Sequence, residues 1–246
     1  MKIILVPCLA ALLSAAPPAT VDRDEYRAAA RQSLHGYGVT SDVDALLKAL
    51  TSDPRPIVRI LAADLLASMQ ARSAAPVMRS SLESESDEKV RSHLGKDLLD
   101  LEGDQARTLV SALLTRTREL DNRIYLAGPL AELKDFSGYP DVLAGLKSQN
   151  LATQMFAAYA LGSFLAKCRD CGLVPAPVDE ALESLKVATA RPHVMIALSH
   201  RLDDPRVVAA LEAVAATDHD DFVKHIAKVF LEQAAREKQK NHAGQN

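Results

Sequence analysis

Apolar residues recur along the chain at a fixed distance from a repeated arginine. The arginine returns every 32 residues, at Arg27, Arg59, Arg91 and Arg123. A leucine follows each arginine by seven positions, and alanine or leucine follows it by three. Offsets of three and seven lie on one face of an α-helix. The pattern therefore predicts a tandem repeat whose members each open with an amphipathic helix.

Three more repeats follow with similar apolar spacing, starting from Gln154, His193 and Lys224, although His200 takes the leucine position in the second of them. Four positions after the starting residue, the five inner repeats have a small residue: Ala63, Gly95, Ala127, Ala158 and Ala197. The outer two have a long cation, Arg31 and Lys228. Inner repeats must pack against neighbours on both sides, whereas terminal repeats keep one face in water. The sequence thus predicts seven repeats, of which the first and last are caps.

A second helix is predicted in the first six repeats, over 42–50, 74–82, 105–115, 140–147, 178–187 and 206–215. Ser41 and Asp104 are good N-cap residue types for two of them. The last repeat is predicted as one helix from Asp220 to about Lys240, with residues 241–246 as a disordered tail. Stacked helix pairs form an α-solenoid. The predicted fold class is therefore an all-α solenoid of about seven repeats over residues 20–240.

The segment DPRPIVRILAADLLASM at 53–69 resembles the first helix of a HEAT repeat of the short, phycobilin-lyase-like type. Residues 87–99 and 220–231 follow the same pattern more loosely. The resemblance covers most of residues 20–240 and implies a binding scaffold, with a few enzymatic exceptions. The iron-dependent hydroxylases of this fold carry repeated His-Glu dipeptides, and its DNA glycosylases use Trp in a basic groove. The chain has neither a His-Glu dipeptide nor any Trp.

The first 19 residues are typical of a secretory signal peptide. Lys2 gives a positive start, residues 3–16 are almost wholly apolar, and small residues and prolines follow. The apolar run is shorter than the roughly 20 residues that span a bilayer. Cleavage is expected after Ala19 or Ala16, and an uncleaved anchor or a buried helix is the alternative. We therefore predict a periplasmic or secreted protein with no membrane span after cleavage.

Net charge and glycine content exclude several partner classes. The formal net charge is −3, and nucleic-acid binding usually needs a strongly basic patch. We therefore expect no nucleic-acid partner. The chain has only 10 glycines and no phosphate-binding glycine motif, so we expect no cofactor. Each repeated arginine is expected to bridge an acidic residue of the turn before its helix, Asp53 or Asp87 for example, and to lay its stem on apolar neighbours.

The spacing of 39 residues between Gln154 and His193 marks one insertion, KCRDCGLVPAP at 167–177. It contains Cys168 and Cys171, which in an exported protein predict a disulfide. Gly172 is expected to supply a left-handed turn position. The alternative is a lyase-like or thiol-redox enzyme centred on these cysteines. A thiol oxidoreductase usually places CxxC between a strand and a helix, whereas this motif follows a helix.

Two other groups of residues are candidates for function. Asp221 and His225 lie four apart on a predicted helix and are weak metal-ligand candidates, since acidic residues at this point also cap a helix. A mixed-charge set on the second helices is predicted to line a concave partner-binding surface: Asp42, Lys48, Arg79, Arg107, Arg116, Asp141, Lys147, Glu183 and Lys186. The set has no aromatic anchors, so we expect moderate affinity. The sequence thus predicts a non-catalytic scaffold for another protein, whose identity it does not indicate.

Overall fold

The computed structural model describes residues 23–187 and 189–243 of the chain. The predicted signal peptide at 1–19 and the last three residues lie outside the described residues. The described residues form thirteen α-helices and no strand: α1 Arg23–Gly36, α2 Val43–Ser52, α3 Pro56–Ser68, α4 Ala75–Ser84, α5 Glu88–Glu102, α6 Asp104–Arg116, α7 Leu120–Glu132, α8 Tyr139–Leu146, α9 Leu151–Lys167, α10 Pro177–Val187, α11 Arg191–Leu198, α12 Pro205–Thr217 and α13 Asp221–Ala243. Short 3₁₀ helices lie at Arg72–Ala74 and Ser199–Arg201.

The helices form two compact units, an N-terminal unit with α1–α7 and a C-terminal unit that begins at Phe136 with α8–α13. In the N-terminal unit the first helices of successive repeats pack side by side, α1 on α3, α3 on α5 and α5 on α7. The second helices α2 and α4 pack in the same manner. In the C-terminal unit α9, α11 and α13 form the row of first helices, and α10 contacts α12. The predicted all-α solenoid of helix pairs is confirmed.

The predicted second helices are all present, and each begins within one residue of its predicted start. The N-caps differ. Asp42, not Ser41, caps α2 by accepting from the Ala45 N–H at 2.9 Å. Asp104 is the first residue of α6 rather than its cap, because Gly103 turns the chain there with φ of +58°. The last helix α13 extends to Ala243, into the predicted disordered tail.

Burial follows the repeat pattern. The leucines seven positions after each arginine are all 0 % exposed: Leu34, Leu66, Leu98 and Leu130. The small inner residues lie in tight helix contacts. A Cβ added to Gly95 of α5 would lie 2.8 Å from Leu113 Cδ2 of α6 and 3.2 Å from Leu126 Cδ2 of α7. The cap cations Arg31 and Lys228 are exposed, as predicted for terminal repeats.

Arg59 and Arg91 hold the turns between repeats, although not through the side chains of Asp53 and Asp87. Arg59 donates to the Asp53 main-chain oxygen at 2.9 Å and to both carboxylate oxygens of Glu85, at 2.7 and 3.0 Å. Arg91 donates to the main-chain oxygens of Glu85 and Ser86 at 2.8 and 2.9 Å. Asp53 itself is engaged elsewhere, by the guanidinium of Arg55 at 2.7 Å. These two arginines therefore serve the fold, as expected, Arg59 mainly through the Glu85 carboxylate and Arg91 through main-chain carbonyls.

Candidate interaction surface and buried polar network

The predicted partner-binding residues of the N-terminal unit differ in solvent exposure and in ion pairing. Asp42, Lys48 and Arg116 are exposed. Arg79 is half-buried and forms an ion pair with Glu102 of α5. Arg107 is also half-buried and lies 3.1 Å from Asp104 within its own helix. Lys48 and Arg116 therefore present the most accessible positive charge of this set, whereas Arg79 joins α4 to α5.

In the C-terminal unit, Lys147, Glu183 and Lys186 are exposed, and Lys186 pairs with Glu183 at 2.6 Å. Asp141 is only 8 % exposed, so the prediction that it lies on an open surface is wrong. It lies in the first turn of α8, which starts at the buried Tyr139. A carboxylate there complements the helix dipole. Asp141 is therefore better explained as a residue that stabilises the start of α8.

An open groove of about 710 Å³ lies on the N-terminal unit between the end of α2 and one side of α4. Hydroxyl groups dominate its lining, from Thr51, Ser52, Ser80, Ser81, Ser84 and Ser86. The hydroxyls of Thr51 and Ser52 donate to carbonyls one turn earlier in α2, at 2.9 and 2.6 Å. Their remaining lone pairs can accept hydrogen bonds from a bound molecule. The Arg59–Glu85 ion pair forms part of the lining, so the groove is polar rather than apolar.

The insertion forms the loop between α9 and α10. Cys168 and Cys171 are joined by a disulfide, with Cα atoms 5.4 Å apart. Cys168 is 3 % exposed and ends α9, its N–H donating to the Phe164 carbonyl at 2.8 Å, while Cys171 is exposed. Gly172 has φ of +74°, the left-handed conformation that was predicted. The motif follows a helix, as the sequence indicated.

The acidic cluster before α13 stabilises the helix start. Asp220 accepts from the Phe222 N–H at 2.9 Å, and Asp218 pairs with Arg191 at 2.8 Å. Asp221 pairs with Lys224 at 2.8 Å, and His225 is exposed. Within the residues that the structure describes, no group of three His, Cys, Asp or Glu side chains is arranged to hold a metal. The capping interpretation of this segment agrees with these contacts.

Sequence reasoning missed a polar network that lies inside the row of first helices in the N-terminal unit. We define it as Tyr26 of α1, Asp64 of α3, Tyr125 of α7, and His93, Lys96, Asp97 and Asp100 of α5. The Tyr26 hydroxyl donates to Asp64 Oδ2 at 2.6 Å. His93 Nδ1 lies 3.2 Å from Asp64 Oδ1 and 3.1 Å from Tyr125 Oη. These contacts connect four successive first helices.

The second half of the network lies one turn further along α5. The Lys96 ammonium donates to Asp97 Oδ1 at 3.2 Å and to Asp100 Oδ2 at 2.7 Å. Asp97 is 0 % exposed, and its Oδ2 is buried and accepts no hydrogen bond. An ionised carboxylate in this environment is costly unless each oxygen is satisfied. Asp97 is therefore the least satisfied member of the network.

The two aspartates of the network have opposite pKa shifts. Burial by itself would raise the pKa of Asp64, but His93, Lys96 and the Tyr26 hydroxyl outweigh burial and hold it below the ordinary carboxyl range. Burial and the charge of Asp64 together raise the pKa of Asp97 well above that range. Burial tends to lower the pKa of Lys96, yet the Asp97 and Asp100 carboxylates raise it overall. Within the pair, Asp64 therefore ionises before Asp97 as pH rises.

A signal for this network is present in the sequence. Asp64 interrupts an apolar run in α3, and His93 and Asp97 are four apart, hence on one face of α5. Asp64 and His93 lie on the side of their helices away from the repeated leucines, where a solvated face is the ordinary expectation. Their burial depends on how closely α3 and α5 pack.

A comparison with protein families adds an independent observation. A family model for HEAT repeats matches residues 9–98 and 43–123. The two matches together span slightly less than half of the chain and include α1–α6. The chain therefore contains HEAT repeats in its N-terminal unit. A comparison with curated proteins returns no match. Among the residues that the structure describes, no helix is long and apolar enough to cross a membrane.

Proposed function

We propose that this chain is an exported HEAT-repeat scaffold of the short, phycobilin-lyase-like type that binds another protein and performs no catalysis. HEAT repeats commonly form interaction surfaces, and the match over residues 9–123 supports this role. Export is inferred from the layout of residues 1–19 and agrees with a disulfide between Cys168 and Cys171. The observation that carries the binding role is the groove on the N-terminal unit.

The groove suits a polar, extended segment of a partner. Its hydroxyl lining offers hydrogen-bond acceptors over two neighbouring second helices, and the Arg59–Glu85 pair fixes one part of its wall. The exposed Lys48 of α2 lies beside the lining residues Thr51 and Ser52. Polar contacts of this kind, without aromatic anchors, favour moderate affinity. The exposed cations Lys48 and Arg116 contribute mainly to association rate and orientation.

Affinity capture from periplasmic or secreted extract tests the binding role. A variant with Ser80→Arg and Ser84→Arg fills the groove with two long cations, and both positions are exposed, so the fold should persist. Lys89→Glu, at an exposed position on α5, is the matched surface control. We expect one specific protein to be recovered with the unaltered chain and with Lys89→Glu, and to be lost with the groove variant. Equal recovery with all three would remove the groove from the proposal.

Export is tested separately. Expression with residues 1–19 intact should place the chain outside the cytoplasm, and N-terminal sequencing should show a start after Ala19 or Ala16. The HEAT match begins at residue 9, inside the proposed leader, so the cleavage position also decides how much of the first match remains. A cytoplasmic protein that retains Met1 would contradict the export proposal.

A second candidate function is a thiol-redox or lyase-like activity at the insertion loop. One observation favours it: Cys171 is exposed beside the buried Cys168, so a thiolate from solvent can reach one sulfur of the disulfide. The double variant Cys168→Ser, Cys171→Ser separates the two functions. Loss of a measured thiol-exchange activity with intact partner binding would support the enzyme, and absence of such activity in the unaltered chain would support the scaffold.

A further inference from the structure

The buried polar network has a feature that scaffold function does not require, namely two carboxyl groups in one enclosed place. Asp64 is 7 % exposed and Asp97 is 0 % exposed. His93, which contacts Asp64 at 3.2 Å, lies four residues before Asp97 on the same face of α5. The Asp97 carboxyl lies within hydrogen-bonding reach of the Asp64 carboxyl, because α5 packs on α3. Two carboxylates so close and so poorly solvated cannot both ionise easily.

The helices packed on α5 place charged and titratable groups on one side of it and mainly apolar groups on the other. From the row of first helices, α3 provides Asp64, α7 provides Tyr125, and Tyr26 of α1 reaches Asp64. From α5 itself come His93, Lys96 and Asp100. On the opposite side of α5, α6 packs Val110 and Leu113 near Gly95, and α4 pairs its Arg79 with Glu102 at the end of α5.

The neighbours of the two carboxyl groups differ. The Asp64 carboxylate accepts from the Tyr26 hydroxyl and lies against the His93 ring. Lys96 is the cation that donates to Asp97, and it also donates to the Asp100 carboxylate at 2.7 Å. The other Asp97 oxygen is buried and accepts no hydrogen bond, so a charge on Asp97 is poorly compensated.

We propose that Asp64 and Asp97 form a carboxyl–carboxylate pair that binds one proton, and that alkaline release of this proton weakens the contact between α3 and α5. In the bound state the proton is covalently held by Asp97, and its O–H group can donate to Asp64. On release the O–H bond breaks, the proton passes to water or hydroxide, and both carboxylates remain charged. No electron is transferred. The site goes beyond the proposed scaffold function, since it makes the spacing of the second and third repeats depend on pH.

The direction of the pH dependence follows from proton linkage. Burial and the neighbouring Asp64 charge raise the folded-state pKa of Asp97. The folded protein therefore holds this proton more tightly than the unfolded chain does. Its stabilising effect is complete below the ordinary carboxyl pKa and is lost as pH rises toward the folded-state pKa. Lys96, which donates to both Asp97 and Asp100, keeps the released state folded rather than disrupted.

Infrared spectroscopy of the full-length chain tests directly for the proton on Asp97. The unaltered chain at neutral pH should show the carbonyl stretch of one enclosed, protonated carboxylic acid, and this band should disappear as pH is raised. Asp97→Asn should lack the band. Glu83→Gln, at an exposed position outside the network, should keep it. Absence of the band in the unaltered chain, or its persistence in Asp97→Asn, would overturn the proposal.

Thermal unfolding provides the second measurement. Melting should be followed between about pH 5 and about pH 9, below the range near pH 10 in which Tyr and Lys ordinarily titrate. The melting temperature of the unaltered chain and of Glu83→Gln should fall with rising pH relative to Asp97→Asn, which retains every histidine. Parallel pH profiles for all three proteins would show that Asp97 binds no proton in this range, and the inference would be wrong. Partner capture by the groove is independent of either result.

Discussion

The buried ion pair between Arg59 and Glu85 is a contact whose removal should weaken the N-terminal unit. Side chains of the pair are 14 % and 9 % exposed, and Glu85 accepts two hydrogen bonds from the guanidinium, at 2.7 and 3.0 Å. Glu85 also accepts from the Asp87 N–H at 2.9 Å. Glu85→Ala removes all three bonds and leaves the guanidinium with the Asp53 carbonyl alone. Breaking one side of a buried pair costs about 3–5 kcal/mol.

Three considerations set the expected value near the lower end of that range. Arg59 keeps one hydrogen bond, part of the pair faces the open groove, and water can enter the space left by the side chain. We expect a loss of about 3 kcal/mol in the free energy of unfolding. Urea unfolding followed by circular dichroism measures it, with Glu83→Ala on the exposed side of α4 as control. The control should change stability by less than about 0.5 kcal/mol. A loss below about 1 kcal/mol for Glu85→Ala would refute the view that this pair is a buried structural contact.

Three further predictions concern other parts of the chain. Asp64→Asn should lower the free energy of unfolding at neutral pH by about 2–3 kcal/mol, since a charge-assisted contact is lost. The folded-state pKa of Asp64 lies below the ordinary carboxyl range, so the stability that its charge contributes is present above that range and is lost as pH falls. The difference in stability between Asp64→Asn and the unaltered chain should therefore shrink as acid unfolding is approached. Gly95→Val should cost about 1–3 kcal/mol by overpacking against Leu113, whereas Gly36→Val, with open space around it, should remain within about 1 kcal/mol in the same urea assay. The Cys168–Cys171 disulfide closes only a short loop, so its reduction should lower the free energy of unfolding by about 2 kcal/mol or less. Calorimetry with and without reductant measures this loss, and a value above about 4 kcal/mol would contradict the short-loop argument.

The fold was predictable because the repeat pattern encodes local geometry. Leucines such as Leu66 and Leu98 are buried as their helix offset requires, and Ala63 and Gly95 lie where neighbouring helices approach closely. N-cap, proline and apolar signals in the sequence predicted the start of each second helix to within one residue. Errors occurred where two adjacent residues compete for one role. Asp42 replaced Ser41 as the cap of α2, because only its carboxylate reaches the Ala45 N–H.

The candidate sites were predicted less well. Exposed residues such as Lys48 and Arg116 can be identified from helix position, but Asp141 cannot be distinguished from them by sequence, since its burial depends on the start of α8. The groove was not predicted, because it is formed by residues of α2 and α4 that are about 30 positions apart. Neither its width nor its hydroxyl lining follows from the periodicity of one helix.

The sequence by itself determined the helical repeats, their number, the insertion with its two cysteines, and which helix face turns inward. These properties depend on residue spacing along one helix, which is local and regular. Only the tertiary structure decided the partners of the repeated arginines, the burial of Asp141, and the network around Asp64 and Asp97. Those properties depend on which groups from different repeats share one space with little water. There the free energy of a charge is decided by its neighbours rather than by its place in the pattern.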